Sequence, residues 1–116
     1  MSSKHELSRL ADIIDNIDAI EEYLAGSDYV AFSADRRTVD ATERCLERIS
    51  EAVVKIGADR MAEIDPNLPV EKVRGLGNVI RHAYDSIDLR LIYNLIVREL
   101  PSLRAACVAV LGRDHA

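Results

Sequence analysis

Between Arg74 and Asp88 the chain reads RGLGNVIRHAYDSID, and no other stretch gathers as many groups able to do chemistry. Placed on a helix at about 100° per residue, Arg74, Asn78, Arg81, His82 and Asp85 fall within one arc of about 100°. Val73, Leu76, Ile80, Tyr84 and Ile87 fall on the opposite side and give the helix an apolar back. Two guanidinium groups, a carboxamide and an imidazole suit a phosphodiester. Arginine offers a charged planar fork to phosphate oxygens, and histidine is the side chain that ordinarily changes charge near neutral pH. The bland alternative is a solvated polar face with His82 ion-paired to Asp85 or capping carbonyls.

Gly75 and Gly77 lie inside the same segment, where each costs about 1 kcal/mol relative to alanine in a helix interior. Glycine there admits a ligand or a second backbone close to the polar front, or marks a local break in the helix.

The elements that must position this segment are also legible. The chain has 116 residues, a length that predicts one domain spanning residues 1–116. Hydrophobic content is 48% but aromatic content only 4%, with no Trp, which points to aliphatic packing between helices. A net charge of −5 argues against a generic nucleic-acid coat, whose footprint is basic. Its distribution is uneven. Residues 1–69 carry 8 Lys+Arg against 15 Asp+Glu, whereas residues 70–104 carry 6 against 4, so positive charge coincides with the candidate segment. Cys45 and Cys107 stand apart from each other and from any histidine at ligand spacing, which predicts buried reduced thiols and a cytoplasmic setting. No run approaches the roughly 18 to 20 apolar residues of a membrane span, and nothing in the sequence calls for a metal or an organic cofactor.

Periodicity predicts an all-α, four- to five-helix up-and-down bundle. The first helix runs from about Ser8 to Ala25 on Leu7, Leu10, Ile14, Ile17 and Leu24, with Ile13 and Ile20 widening the stripe and Gly26 closing it. Its acidic run, Asp12 to Glu22, is a solvated face or a dock for a basic partner. After a connector from Ser27 to Ser33, Val39, Thr42, Leu46, Ile49, Val53 and Ile56 mark the second helix, stopped by Gly57. Its Arg36, Arg37, Arg44 and Arg48 have Asp40, Glu43, Glu47 and Glu51 as pairing partners. A short turn from Ala58 leads to the loop Asp65 to Pro69, and Pro69 opens the candidate helix, which ends near Tyr84 or Asp85. Asp88 caps the last helix, which Pro101 kinks or divides and Gly112 ends. Tyr23, Tyr29 and Tyr93 read as packing residues, and the terminal His5 and His115 are given no role.

The run NVIRHAYDSID followed by LIYNLIVRELPSL resembles the HepT-like branch of the HEPN superfamily. That signature is an arginine, four to six residues, a histidine, any residue and a tyrosine, then Ile-Asp and a helix ending in Leu-Pro. FSADRRTVDATERCLERISEAV is similar to the family's second helix, so the resemblance spans about residues 7–111. It implies an all-α homodimer whose signature helices line a shared cleft. It further implies a toxin of a toxin–antitoxin pair, acting on RNA as a metal-independent ribonuclease. The implied partner is an MntA-like nucleotidyltransferase antitoxin that transfers AMP to the signature tyrosine. On this chain His82 would be catalytic, Tyr84 the modified residue and Asn78 the supporting polar residue.

The chain departs from the pattern where the arginine normally stands, immediately before Asn78, because that position is Gly77. Arg74 and Arg81 are the substitutes for its charge. Arg74 lies roughly 12 Å from His82 along a helix axis, and Arg81 points about 100° away from it around the helix. The alternative reading is a catalytically inactive helical module that docks a nucleotidyltransferase or RNA.

Overall fold

A computed structural model describes residues 3–75 and 88–115, and among them the regular structure is entirely α-helical. The first helix, α1 (Lys4–Leu24), begins where the Ser3 hydroxyl accepts the Glu6 amide at 3.0 Å. Capping satisfies one of the amides that the first turn leaves without a carbonyl. Leu10, Ile13, Ile17, Ile20 and Leu24 are buried and form its inner stripe. Ile14, expected on that stripe, packs only partly against it. The left-handed stop takes in Ala25, with φ of 47°, and the expected Gly26, with φ of 78°. The Ala25 amide donates to the Glu21 carbonyl at 2.9 Å, a local bond that offsets part of the strain of this conformation.

The expected connector is largely a helix, α2 (Tyr29–Ala34). Asp28 caps it by accepting the Ala31 amide at 2.9 Å, and Phe32 is buried. A single apolar anchor in so short an element leaves no periodicity to read, which is why the expected bundle of four to five helices lacks it.

Helix α3 (Arg36–Ile56) follows the sequence expectation closely. Asp35 caps it through the Thr38 amide and hydroxyl, and Gly57 stops it at a φ of 101°. Arg9, Asp12 and Asn16 of α1 line one concavity with Arg48, Glu51 and Ala52 of α3, so the start of α1 lies beside the end of α3. The two long helices are therefore antiparallel. Leu10, Ile13, Ile17 and Ile20 meet Leu46, Ile49 and Val53 in the shared core, each fully buried side chain contributing about 1.5–3 kcal/mol. On the outer face Arg36 pairs with Asp40 and Arg44 with Glu47. Glu51 pairs with Lys55 rather than an arginine, and Arg37 and Arg48 have no ion pair among the described residues.

The turn expected after Gly57 is α4 (Ala58–Ile64), tied to α1 by Arg60, which donates to both oxygens of Glu6 at 2.7 and 3.1 Å. Beyond the Asp65–Pro69 loop, residues 70–75 are helical and belong to α5. The last helix, α6 (Leu89–His115), is continuous through Pro101. Proline removes a donor from the ladder, but Pro101 and Val97 both lie on the exposed side, where a carbonyl without its ladder partner costs least. Gly112 does not end the helix, which runs on to His115 without a positive φ at that glycine.

Asp18 of α1 accepts two bonds from Arg104 of α6, at 2.6 and 3.2 Å, so α6 also runs antiparallel to α1. Tyr93 donates its hydroxyl to the Ser27 carbonyl at 2.9 Å and stacks against Tyr29 and Phe32. Tyr23, expected to pack, is 44% exposed. Cys45 and Cys107 are buried free thiols, and burial pushes the Cys107 thiol up to about 12, which keeps it neutral and unreactive. Among the described residues no helix is long and apolar enough to cross a membrane.

Candidate functional site

The candidate segment is held at both of its ends. On the entry side Val73 is buried in the common core, while the Arg74 carbonyl accepts the Ser50 hydroxyl of α3 at 3.1 Å. Ser50 lies on the apolar stripe of α3, four residues after Leu46 and three before Val53. Its hydroxyl ties the α5 backbone to α3 at this carbonyl. A polar residue within that stripe is the sequence signal for such a role, and the pattern of apolar residues alone passes over it.

On the exit side Asp88 performs the capping role expected of it. Its carboxylate accepts the Leu91 amide at 3.2 Å and its carbonyl accepts the Ile92 amide at 3.1 Å. Ile92 is buried, so the cap also sets the direction in which α6 enters the core. Residues 74 and 88 are thus anchored independently, one by a buried side chain of α3 and the other by the first turn of α6.

Of the candidate site residues, Arg74 is described. Its side chain is 38% exposed and points to Glu71, three residues earlier, at 3.1 Å. This i, i+3 pair is solvent-facing, and such pairs contribute about 0–1 kcal/mol. Arg74 is therefore fixed at its backbone and lightly engaged at its guanidinium. Asn78, Arg81, His82 and Tyr84 lie outside the described residues, as do Leu76, Ile80 and Ile87 of the expected apolar back. Val73, the first residue of that back, is buried as expected. Among the described residues no group of three His, Cys, Asp or Glu side chains gathers in a way that would hold a metal ion.

The family model for ribonuclease HepT-like proteins matches residues 13–110, which takes in both anchors and the whole segment between them. The chain belongs to the HepT-like family. A protein of Thermococcus cleftensis named "Probable ribonuclease HepT" is 30% identical over 95 residues, covering 82% of this chain and 86% of its own. A "Putative RNase" of Methanocaldococcus jannaschii is 30% identical over 104 residues, covering 90% of this chain and 94% of its own. A "Putative RNase" of Caldanaerobacter subterraneus subsp. tengcongensis is 25% identical over 105 residues, covering 90% and 93%. No solved structure matches. In this HepT-like chain the all-α architecture accords with the family, while Gly77 stands where the signature arginine is expected.

Proposed function

We propose that this HepT-like protein is a metal-independent endoribonuclease, the toxin of a toxin–antitoxin pair, acting in the cytoplasm as a homodimer. The observation that supports the reading most is the family match over residues 13–110, a range that includes Asn78, His82 and Tyr84. In the proposed reaction the His82 imidazole takes the proton of a ribose 2′-hydroxyl, whose oxygen attacks the adjacent phosphorus. The bond from phosphorus to the 5′-oxygen breaks, and that oxygen is protonated by the second protomer's imidazole, by Tyr84 or by water. A 2′,3′-cyclic phosphate and a 5′-hydroxyl result. Arg74 or Arg81 stabilises the charge that builds on the phosphorane, and Asn78 orients the phosphate through its carboxamide. The exposed pair with Glu71 leaves Arg74 able to exchange a carboxylate for a phosphate at little cost.

Control comes from an MntA-like nucleotidyltransferase antitoxin. The Tyr84 phenol oxygen attacks the α-phosphorus of ATP, pyrophosphate leaves, and the tyrosyl AMP places a bulky anion two residues from His82. A second reading, a binding module without catalysis, draws support from Gly77 and from the engagement of Arg74 with Glu71.

The test identifies the product ends and the source of positive charge. Cyclic-phosphate ends formed in excess chelator support the reaction, and a loss on Arg74→Ala or Arg81→Ala names the arginine. Glu71→Ala, which frees Arg74, is expected to raise activity if Arg74 serves the site. Purified nucleotidyltransferase is expected to add AMP to the parent and not to Tyr84→Phe, read by intact mass. Intact RNA after incubation with folded, AMP-free protein would favour the binding module.

A further inference from the structure

The loop before α5, the first turn of α5 and the first half of α6 line a concavity of about 200 Å³, with Asn67, Lys72, Asn94, Arg98 and Glu99 as its polar residues and Pro69, Leu91 and Leu95 as its apolar ones. Most described cations are already engaged. Arg9, Arg36, Arg44, Lys55, Arg60, Arg74 and Arg104 each face a carboxylate, and Arg90 lies over the Tyr29 ring at 3.9 Å. Lys72 and Arg98 have no ion pair among the described residues, although Glu99 lines the same concavity. Both are exposed. Two cations from separate elements thus line one concavity, each without an ion pair among the described residues and with Glu99 as the carboxylate beside them.

We propose that Lys72 and Arg98 form a phosphodiester subsite that holds the RNA strand beside the cleavage segment, with Asn67 and Asn94 as its polar readers. Two cations against one carboxylate leave one net positive charge, which matches the single negative charge of a phosphodiester. An ammonium and a guanidinium can each take a phosphate oxygen. The two carboxamides carry donors and acceptors suited to a ribose 2′-hydroxyl or an exposed base edge. Leu91, 57% exposed, gives the rim an apolar surface for a base or ribose.

The position links the subsite to the chemistry. Lys72 precedes Arg74 by two residues on α5, about 3 Å along the helix axis. The subsite therefore directly precedes, along the chain, the segment that carries the candidate catalytic groups. Pro69 starts the same helix and Val73 is buried beneath it, so Lys72 is presented from a fixed turn. Arg98 projects from the long and continuous α6. The subsite rests on the ribonuclease reading for the identity of its ligand and on the concavity for its place.

The test measures binding and cleavage separately. Binding uses a single-stranded 2′-O-methyl oligoribonucleotide, which lacks the attacking hydroxyl, over a series of salt concentrations. Lys72→Ala and Arg98→Ala are each expected to weaken binding up to roughly tenfold, the scale of one exposed charge-assisted hydrogen bond. Each is also expected to reduce the dependence of log affinity on log salt by about 0.7. Lys72→Arg should restore most of the loss. Arg37→Ala, which removes an unpaired exposed cation from α3, controls for net charge and is expected to leave the slope unchanged.

Loss of slope in the Lys72 and Arg98 variants supports the subsite even if the parent cleaves no RNA, in which case only the catalytic reading falls. Cleavage by the parent together with unchanged affinity and slope in both variants overturns the subsite and leaves the ribonuclease standing. Equal losses in Arg37→Ala would reduce the effect to net charge and overturn the subsite, as would a parent that binds no RNA.

Discussion

The seam between α1 and α3 and the corner between α5 and α6 treat their side chains in opposite ways. At the seam Leu10, Ile13, Ile17 and Ile20 are fully buried against the aliphatic face of α3, and charges on the outer surface pair within their own helices. At the corner Leu91 is 57% exposed, and Lys72 and Arg98 stand without ion pairs among the described residues. The seam buries its apolar groups against each other and supplies stability, although the Arg9 Nε and the Thr42 hydroxyl are buried there without a hydrogen-bond partner among the described residues. The corner leaves apolar and cationic groups for something outside the chain, next to the segment on which catalysis is proposed.

Truncating the seam gives the largest effect. Ile17→Ala and Leu10→Ala each remove a side chain with no exposed surface and are expected to cost about 2–5 kcal/mol in denaturant unfolding. Lys72→Ala and Arg98→Ala, at exposed positions, are expected to stay within about 0.5 kcal/mol of the parent. A corner variant as unstable as a seam variant would break the contrast.

Between these extremes are the anchors. Ser50→Ala leaves the Arg74 carbonyl without its buried donor and is expected to cost about 1–3 kcal/mol. Asp88→Ala removes the α6 cap and is expected to cost about 1 kcal/mol. Both should also speed amide hydrogen exchange in α5 or the first turn of α6 more than in α1. Uniform acceleration would mean that the anchors serve the whole bundle and not the candidate segment.

The smallest effects appear on the polar surface and differ in sign with pH. Hydrogen bonding to Arg104 holds the Asp18 carboxyl below its ordinary range. Its stabilising contribution is present above the unfolded aspartate range, near pH 3.9, and fades as pH falls through the lowered folded value. Burial, with Asp40 and Glu47 nearby, raises Glu43 instead. Its contribution is lost as pH rises from the unfolded glutamate range, near pH 4.3, through the raised folded value. Asp18→Asn is therefore expected to lower Tm at pH 7 and Glu43→Gln to raise it slightly, with both differences vanishing well below the carboxylate range. Tm shifts of the same sign at pH 7 would contradict the assignment.

How far the sequence discloses this arrangement depends on how many residues share each signal. Helix α3 is legible because five apolar positions and Thr42 repeat by three and four between Asp35 and Gly57, and the Asp88 cap is legible because a capping residue stands directly before an apolar run. Helix α2 is not, since Phe32 alone anchors it and six residues are too few to show a period. Whether Pro101 breaks α6 turns on the exposure of its neighbours, a tertiary property that local pattern does not carry. At the candidate site, residue types carry the chemistry proposed for His82 and its companions, and Val73 is buried as expected of the first position of the apolar back. The convergence of Lys72 with Arg98 is invisible along the chain, because 26 positions separate them and only the packing of α5 on α6 brings them to one concavity.

The most direct measurement is cleavage of a labelled single-stranded RNA in excess chelator, comparing the parent with His82→Ala of matched helical content and oligomeric state. Cyclic-phosphate-ended products from the parent and at least a hundredfold loss in His82→Ala are expected, the scale on which a general acid–base contributes. Equal cleavage by both proteins, or intact RNA with a folded parent free of AMP, would contradict a ribonuclease built on His82.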